Sequence, residues 1–381
     1  MENLKYNLSL LQEKAKERTV KTQSIEYDIE TLIKKLEKNI IKIDPDYQRR
    51  HRWDNKTSSK LIESLILNIP IPTIYISQDI DVDIETSNEE FRYSVIDGQQ
   101  RLTAIKNFLK GKYCLEGLET LEELNGCFYK DLPPFLTRRL EERSIKCLRI
   151  DSTVDSQVKL DIFERLNSGS VRLEAQELRN AVFHGKFNDL IKELSKNDNF
   201  RSLLQIDPKS PEDNNKVKKM EDVEIVLRFF ALINNRYTQF KKSKEKGFSN
   251  FLDEALEDFN KLEISLLEKY KNDFLKTMNF ISSKYGSVIF SKYKVIENGN
   301  DFHEYKLQSR FNIAVFDAFA IAIHDALAEG INIDNKKPDL LELFRDNDFV
   351  NSISGSYLDT NKLKFRIEKA KKTLGCQKVL L

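Results

Sequence analysis

The sequence predicts an α+β protein, in which a small mixed α/β domain at residues 1–185 is followed by an all-helical domain at residues 186–381. Three observations support this fold class. The chain has 381 residues, a length at which one hydrophobic core usually divides into two. It contains only 12 glycines and 8 prolines, so helix-breaking residues are scarce. The short β-rich runs end at Ile150, whereas helical periodicity dominates from Asp155 onward.

Helix and strand signals alternate in the N-terminal part. Apolar residues recur at helical spacing in residues 1–40, which are predicted to be helical, and a short extended piece follows at residues 40–43. A second helix is predicted over residues 57–68, and the prolines that follow end it. Strands are predicted for three β-rich runs, at residues 73–77, 91–97 and 145–150.

The remainder of the chain has apolar residues at helical spacing and predicts a helical bundle, whose core should contain most of the 24 phenylalanines. Its helical stretches are residues 220–236, 248–285, 309–329 and 360–374. Two polar stretches, 207–219 and 239–247, are predicted loops. Lysine clusters in this half are expected either to be solvated or to contact DNA phosphates. They comprise Lys241, Lys242, Lys244, Lys246, Lys336, Lys337, Lys369, Lys371 and Lys372.

Cysteines and histidines argue against zinc chemistry. The four cysteines show no close pairing of the kind that a zinc site needs, so they are predicted to be free buried thiols. The four histidines form neither a His-Glu-x-x-His helix nor a Ser-His-Asp arrangement. His324 lies beside Asp325 in a very apolar stretch and is predicted to be a hydrogen-bonded structural histidine.

Charge and hydropathy narrow the function classes. The chain has 62 Lys and Arg against 61 Asp and Glu, so its formal net charge of +1 does not indicate nucleic-acid binding by the whole molecule. Any such binding must come from a local patch. No apolar run approaches the ~20 residues that span a bilayer, and the N-terminus lacks a signal-peptide pattern. We therefore expect a soluble, cytoplasmic protein without membrane contact.

The strongest chemical signal is a predicted strand that turns directly into a helix, in the run I-D-G-Q-Q-R-L-T at residues 96–103. Gly98 permits the tight turn. The free N–H groups of the first helical turn then converge on one point with a partial positive charge, which stabilises an anion there. The alternative is an ordinary strand-to-helix turn followed by solvated helix starters.

Side chains around this turn suit phosphate chemistry. Arg101 adds a guanidinium that can bind phosphate oxygens in a bidentate manner. Gln99 and Gln100 supply neutral donors that can reach phosphate or position a water molecule. Asp97, at the end of the strand, can hold a divalent cation or orient the attacking water. The run is not a Walker loop, because the chain has no Gly-x-x-x-x-Gly-Lys-Ser/Thr sequence.

A basic and aromatic cluster occupies residues 44–53. It contains arginines, a tyrosine, a histidine and the single tryptophan, Trp53. Cations interleaved with aromatic rings suit phosphate contacts and base stacking, so Arg50 and Arg52 are candidate DNA-binding residues. The alternative is that Trp53 and Tyr47 anchor the following helix to the core while the arginines face water.

A third cluster runs from Phe163 through Gly169 and continues with a helix over residues 174–182. It has the pattern of an ordinary helix–turn–helix corner. Charged helical faces are usually solvated, so we expect Glu177 and Arg179 to be exposed.

Together these motifs resemble the N-terminal domain of GmrSD-type modification-dependent restriction endonucleases, within the ParB/sulfiredoxin-like superfamily. The resemblance covers residues 25–185 and rests on five segments in the expected order: Tyr47-Gln48-Arg49 with Trp53, Ile69-Pro70-Ile71-Pro72, residues 96–103, Phe163-x-Arg165-Leu166-Asn167-Ser168-Gly169, and Glu177-Leu178-Arg179-Asn180. It implies a ParB/sulfiredoxin-like N-terminal domain that handles nucleotides in anti-phage or modified-DNA defence.

The resemblance also implies residue roles. In that family the Asp-Gly-Gln-Gln-Arg motif forms the nucleotide phosphate site and is linked to NTP hydrolysis with Mg²⁺. Catalysis is thereby assigned to Asp97, Gln100 and Arg101, with Asp97 as the metal ligand. Nucleotide binding is assigned to Tyr47, Gln48, Arg49, Gly98, Gln99, Gln100, Arg101 and Thr103. The base, whether GTP, CTP, UTP or ATP, stays open.

Two departures from the family pattern shape the expected partners. Sulfiredoxin-like repair needs a cysteine beside the glycine of the turn, and Gln99 stands there instead. Full-length relatives often carry a C-terminal HNH nuclease domain with a histidine-rich metal site, and the histidines after His184 form no such group. The resemblance therefore implies a stand-alone subunit whose partners are nucleotide, modified or phage DNA, a separate HNH nuclease and a second copy of the chain.

Three functions follow as hypotheses. The first is an NTP-hydrolysing sensor subunit of a restriction system that acts on or near DNA. The second is a nucleotide switch that binds without hydrolysis and rearranges the helical domain. The third is a scaffold for a nuclease partner, with a vestigial pocket.

Overall fold

The computed structural model describes residues 20–43, 53–78, 92–151, 154, 156–166, 174–241, 247–297 and 303–376. The chain divides into two compact units, Met1–Leu173 and Glu174–Leu381. The first contains a small mixed sheet and the second is largely helical, so the predicted α+β fold class is confirmed. The domain boundary after residue 185 stays a prediction.

Strands and helices alternate in the first unit. In chain order they are β1 (Thr22–Asp28), α1 (Ile29–Glu37), β2 (Ile41–Lys42), α2 (Asn55–Ile66), β3 (Ile74–Gln78), β4 (Tyr93–Asp97), α3 (Gln99–Leu109), α4 (Pro134–Glu141), β5 (Ser144–Ile150) and α5 (Ser156–Leu166). The predicted extended piece near residue 41, the helix before the prolines, the three later strands and the helix after Gly98 are thus confirmed within a few residues.

The sheet has the strand order β1-β5-β3-β4-β2. β1 is antiparallel to β5 and β3 is antiparallel to β4, whereas the β5–β3 and β4–β2 pairs are parallel. β4 therefore has a neighbour on each side, and its central residues Ser94, Val95 and Ile96 are buried. A bulge between Tyr75 and Ile76 places Tyr75 opposite Asp97 at the end of β4, next to the predicted site.

The predicted helix over residues 1–40 is wrong for residues 22–28, which form β1. Its backbone pairs with β5 along the whole strand, and this tertiary pairing outweighs a weak helix preference. The helix begins only at Ile29, because the Asp28 carboxylate accepts a hydrogen bond of 2.6 Å from the Thr31 N–H and caps it. Residues 1–19 lie outside the described part of the chain.

Apolar faces of the helices form the core of this unit. Leu32, Ile33 and Leu36 of α1 are buried, as their helical spacing indicates. α2 buries its apolar face in the same core, and the ring of Trp53 packs against it just before the helix. The anchoring interpretation of Trp53 is therefore confirmed.

In the described residues of the second unit, the regular structure is helical except for one hairpin. Its elements are α6 (Ala175–Val182), α7 (Lys186–Leu194), α8 (Asp198–Leu203), α9 (Asn215–Lys218), α10 (Glu221–Leu232), α11 (Phe248–Asn260), α12 (Ile264–Phe280), β6 (Lys292–Glu297), β7 (His303–Ser309), α13 (Ile313–Ala328), α14 (Lys337–Glu342), α15 (Asn347–Ser352) and α16 (Thr360–Leu374). The hairpin is an exception to the expectation that nearly everything after Asp155 is helical. Its signal is present in the sequence, since alternating tyrosine and aliphatic residues flank an Asn-Gly pair at residue 298.

Helix α13 lies in the core of this unit, and it is so apolar that Ala314 through Ala326 are buried. His324 is buried there and its Nδ1 lies 2.9 Å from Asp325 Oδ1, which confirms a hydrogen-bonded structural histidine. Lys371 of α16 completes the pair, with its Nζ 2.8 Å from Asp325 Oδ2. No helix among the described residues is long and apolar enough to cross a membrane.

Three charged side chains join α10, α13 and α16 inside this core. Asp317 is fully buried and its carboxylate pairs with the guanidinium groups of Arg228 and Arg366. Arg228 Nη2 lies 2.6 Å from Asp317 Oδ2, and Arg366 Nη2 lies 2.5 Å from the same atom. The buried Asp317 carboxylate therefore pairs with two buried guanidinium groups and links the three helices.

Candidate functional site

The turn between β4 and α3 requires glycine. Gly98 has a φ of +99°, a left-handed conformation that side chains with a Cβ rarely adopt. A Cβ built there would lie 2.9 Å from Ile74 Cγ1 and 3.3 Å from Arg101 Nη2. The backbone of the turn therefore lies directly against β3 and the Arg101 side chain, with no room for a side chain at residue 98.

Helix α3 begins at this turn with backbone donors that have no partner inside the helix. Gly98 provides no side-chain cap, and the first intrahelical bond is the 2.9 Å bond from the Leu102 N–H to the Gly98 carbonyl. The N–H groups of the three preceding helical residues therefore have no partner within the helix. The predicted geometry, with a strand followed at once by a helix N-terminus, is confirmed.

Buried polar atoms without partners lie on the same end of α3. Within the described part of the chain, Gln99 Oε1, both amide atoms of Gln100 and Thr103 Oγ1 have no hydrogen-bond partner. Gln99 and Thr103 are more than nine-tenths buried. Thr103 follows Gln99 by four residues and Gln100 by three, so the three side chains share one face of the helix. Buried polar groups left unpaired in this way are rare, and an ordered water molecule, an ion or a ligand would satisfy them.

Arg101 is used differently from the simple sequence expectation. Its side chain is only 9% exposed, and its Nη2 lies 2.9 Å from Asp97 Oδ2. The guanidinium also donates to the carbonyl of Pro72 and, at 3.4 Å, to that of Thr73. It thereby fixes the segment that enters β3 against the turn. A direct contact of Arg101 with phosphate stays a prediction.

The partner of Arg101 is a feature that sequence reasoning missed. Pro72 belongs to the Ile69-Pro70-Ile71-Pro72 segment, which was part of the family resemblance but had no assigned chemistry. In the structure the Pro72 carbonyl of this segment accepts a hydrogen bond from Arg101, and Ile74 forms the apolar wall beside Gly98. Both segments belong to the ordered set of motifs that carries the family resemblance, and this was the signal that could have linked them.

Asp97 is the carboxylate at the site. Its Oδ2 is paired with Arg101, its Oδ1 accepts no hydrogen bond from a described residue, and its side chain is 37% exposed. Among the described residues, no three His, Cys, Asp or Glu side chains cluster so as to hold a metal ion. One carboxylate is nevertheless a common protein contribution to Mg²⁺ when substrate phosphates supply other ligands. The residues fit a metal bound together with a nucleotide rather than a metal bound alone.

Thiol chemistry receives no support at the site. Cys147 lies opposite Ile74 in the sheet and is fully buried. Burial raises the pKa of its thiol to about 11, although the nearby Arg101 charge lowers the pKa in part. The group is therefore protonated at neutral pH and is a poor nucleophile. All four cysteines are free thiols; Cys147 and Cys376 are buried, and Cys114 and Cys127 are partly exposed.

The basic and aromatic cluster is only partly described. Tyr47, Gln48 and Arg49, assigned to nucleotide binding, lie outside the described residues, as do the DNA-binding candidates Arg50 and Arg52. Asn167, Ser168 and Gly169 of the third cluster lie outside them as well. The assignments to these residues stay predictions.

The expected exposure of Glu177 and Arg179 is wrong, because both side chains are buried. Arg179 Nε lies 2.6 Å from Asp253 Oδ1 and its Nη1 lies 2.7 Å from Glu224 Oε2. Its Nη2 donates to Ser249 Oγ at 2.7 Å. Arg179 therefore joins α6 to α10 and α11, and the motif that contains it organises the second unit.

We expect Arg179→Lys to lower the free energy of unfolding by about 2 kcal/mol, since an ammonium group cannot reach the three acceptors on α10 and α11 at once. Chemical denaturation followed by circular dichroism measures this loss. Arg345→Lys is the matched control, because Arg345 forms an exposed pair of 3.1 Å with Glu342 and its replacement should change stability by less than about 0.5 kcal/mol. Equal effects of the two substitutions would contradict the structural role of Arg179.

Comparison with known proteins finds one match. The family model for the GmrSD restriction endonuclease N-terminal domain matches residues 29–184. No curated protein and no solved structure matches the chain. The matched range includes the Pro72 segment, the glycine turn with its unpaired polar groups, and the motif around Arg179. Residues 29–184 of this chain are therefore similar to the GmrSD restriction endonuclease N-terminal domain, and the rest of the chain lies outside that match.

Proposed function

We propose that the protein is a nucleotide-binding, NTP-hydrolysing sensor subunit of a modification-dependent or anti-phage restriction system. The family match indicates the restriction-system role. The observation that supports nucleotide binding is the group of buried, unpartnered polar atoms on Gln99, Gln100 and Thr103, beside the free N–H groups of α3. Such a group is expensive to bury unless a ligand satisfies it.

In this proposal the nucleotide phosphates lie at the N-terminus of α3. The backbone N–H groups, the Gln100 amide and the Thr103 hydroxyl donate to phosphate oxygens, and the helix dipole adds favourable electrostatic energy. Arg101 acts chiefly as a positioning residue, because its hydrogen bonds hold Asp97 and the Pro72 segment around the turn. Asp97 would hold Mg²⁺, which on binding neutralises part of the phosphate charge.

A non-hydrolysing switch or scaffold that binds a separate nuclease is the second candidate. One observation favours it: Arg101 already occupies one oxygen of Asp97, which weakens this carboxylate as a base for an attacking water. Measuring phosphate release beside nucleotide affinity separates the two functions. Binding without phosphate release supports the switch, and the absence of binding by any NTP supports the scaffold.

Thr103→Val tests the site because it removes one hydroxyl with little change of shape. With Mg²⁺ present, we expect it to lower the affinity for nucleotide roughly 10- to 100-fold, which corresponds to the loss of one hydrogen bond to a charged group. Its unfolding free energy should be unchanged or higher by up to about 1 kcal/mol, because the lost hydroxyl has no partner without ligand. Calorimetric titration with GTP, CTP, UTP and ATP, followed by thermal unfolding, measures both quantities.

Thr277→Val is the matched control. Thr277 is equally buried, but its hydroxyl donates to the Asp273 carbonyl at 2.8 Å. The control should lose stability by about 1 kcal/mol and keep nucleotide affinity, which is the opposite pattern. An unchanged nucleotide affinity in Thr103→Val would remove Thr103 from the phosphate site.

A further inference from the structure

The β6–β7 hairpin of the second unit has two different faces. On one face, the Tyr293 ring lies 6.3 Å from that of Tyr305 and 5.5 Å from that of Phe344. The Tyr305 hydroxyl donates to Glu342 Oε1 at 2.8 Å. These contacts attach that face to the helices of the unit, so the residues that alternate with the tyrosines project from the opposite face.

The opposite face carries two lysines placed directly across from each other. Lys294 pairs with Lys306 in the strand register, and both side chains are exposed. Like charges at facing positions of a β-ladder destabilise it. Glu304 lies on the same face, two residues from Lys306, yet neither lysine forms an ion pair with a described residue. An anionic partner bound to this face would neutralise the two lysines and relieve their repulsion.

The basic character continues at the base of the hairpin. Arg310 follows β7 and its side chain is exposed, while its carbonyl accepts hydrogen bonds from Gln205 Nε2 at 2.6 Å and Ser291 Oγ at 2.7 Å. The backbone there is therefore held in place. Gln308, between the lysine pair and Arg310, is also exposed and offers a neutral amide. We call Lys294, Lys306, Gln308 and Arg310 the ribbon surface.

We propose that the ribbon surface binds the backbone of duplex DNA. Two strands about 4.8 Å apart form a ribbon that enters the major groove, which is about 12 Å wide. The three cations of the surface then lie beside phosphates, and the Gln308 amide is of the type that contacts base edges. This site is independent of the nucleotide site at α3, since it lies in the other unit and uses none of the same residues.

The test is DNA binding by the full chain with Lys294→Gln and Lys306→Gln combined. A short DNA duplex is titrated between about 50 and 200 mM salt, where affinity reports phosphate contacts. We expect the Kd to rise about tenfold at the lower salt, and the log–log salt slope to fall by about 1.8 for two lost contacts. Thermal stability should not fall, because the change removes a repulsive pair, and nucleotide affinity should not change.

The matched control combines Lys269→Gln with Lys276→Gln. These lysines are exposed on one face of α12 and form no ion pair with a described residue, so the charge change is identical. Wild-type affinity and slope in the control, with losses in the ribbon variant, support the proposal. An unchanged slope in the ribbon variant, or equal losses in both, overturns it. Binding to phosphatidylserine vesicles but not to the duplex also overturns it.

Discussion

Asp317→Asn is expected to lower the free energy of unfolding by about 3–5 kcal/mol, one of the largest effects of a single substitution in this chain. The asparagine keeps the shape of the side chain but removes the charge that pairs with Arg228 and Arg366. Both guanidinium groups are buried, so each would be left as an uncompensated cation far from water. Urea denaturation followed by circular dichroism measures the loss.

Two further variants separate charge burial from simple loss of contact. Asp334→Asn breaks an exposed ion pair of 3.2 Å with Lys284 and should change stability by less than about 1 kcal/mol. Replacing Asp317, Arg228 and Arg366 together by leucine or methionine should recover much of the loss, because no buried charge then remains. If Asp317→Asn lowers the free energy of unfolding no more than Asp334→Asn does, the buried charges of Asp317, Arg228 and Arg366 do not stabilise the packing of the three helices.

Gly98→Ala is expected to abolish measurable nucleotide binding and to destabilise the first unit. The left-handed conformation alone disfavours alanine by about 1–2 kcal/mol. In addition, the new Cβ would lie 2.9 Å from Ile74 Cγ1, so either the turn or β3 must shift. Such a shift moves the first N–H groups of α3 and the polar face of Gln99, Gln100 and Thr103. Calorimetry with the nucleotide that the wild type prefers, together with urea denaturation, measures both effects.

Gly126→Ala isolates the steric part of this effect. Gly126 also has a positive φ, +86°, but a Cβ there would meet no atom within 4 Å. The control should therefore show the conformational penalty of about 1–2 kcal/mol while binding nucleotide as the wild type does. Wild-type affinity in Gly98→Ala would show that the turn does not form the phosphate site.

Features that depend on a few adjacent residues were predictable. The turn at Gly98 and the start of α3 follow from a β-rich run, one glycine and a helical pattern within residues 93–109. The apolar faces of α1 and α2 follow from spacing alone. The helix cap at Asp28 is equally local, because donor and acceptor lie three residues apart.

The misassigned residues share a different cause. β1 exists because β5, far along the chain, offers a free edge to pair with. Arg179 has the sequence context of a solvated helical residue, and only the approach of α10 and α11 encloses it. The contacts of Arg101 are a further case that the sequence does not show, since its hydrogen bonds to the carbonyls of Pro72 and Thr73 join segments about 28 residues apart, while its contact with phosphate stays a prediction.

The sequence by itself therefore determined the α+β class, most helices and strands, the position of the glycine turn and the similarity of residues 29–184 to a known domain. Tertiary structure alone decided which charges are buried, which pair with each other and which remain open to a ligand. The physical reason is that secondary structure and turn geometry arise from short-range sterics and hydrogen bonds. Burial and charge pairing instead depend on surfaces that distant segments bring together. The candidate binding groups Gln100, Thr103 and Lys294 therefore differ from ordinary polar side chains only in their tertiary surroundings.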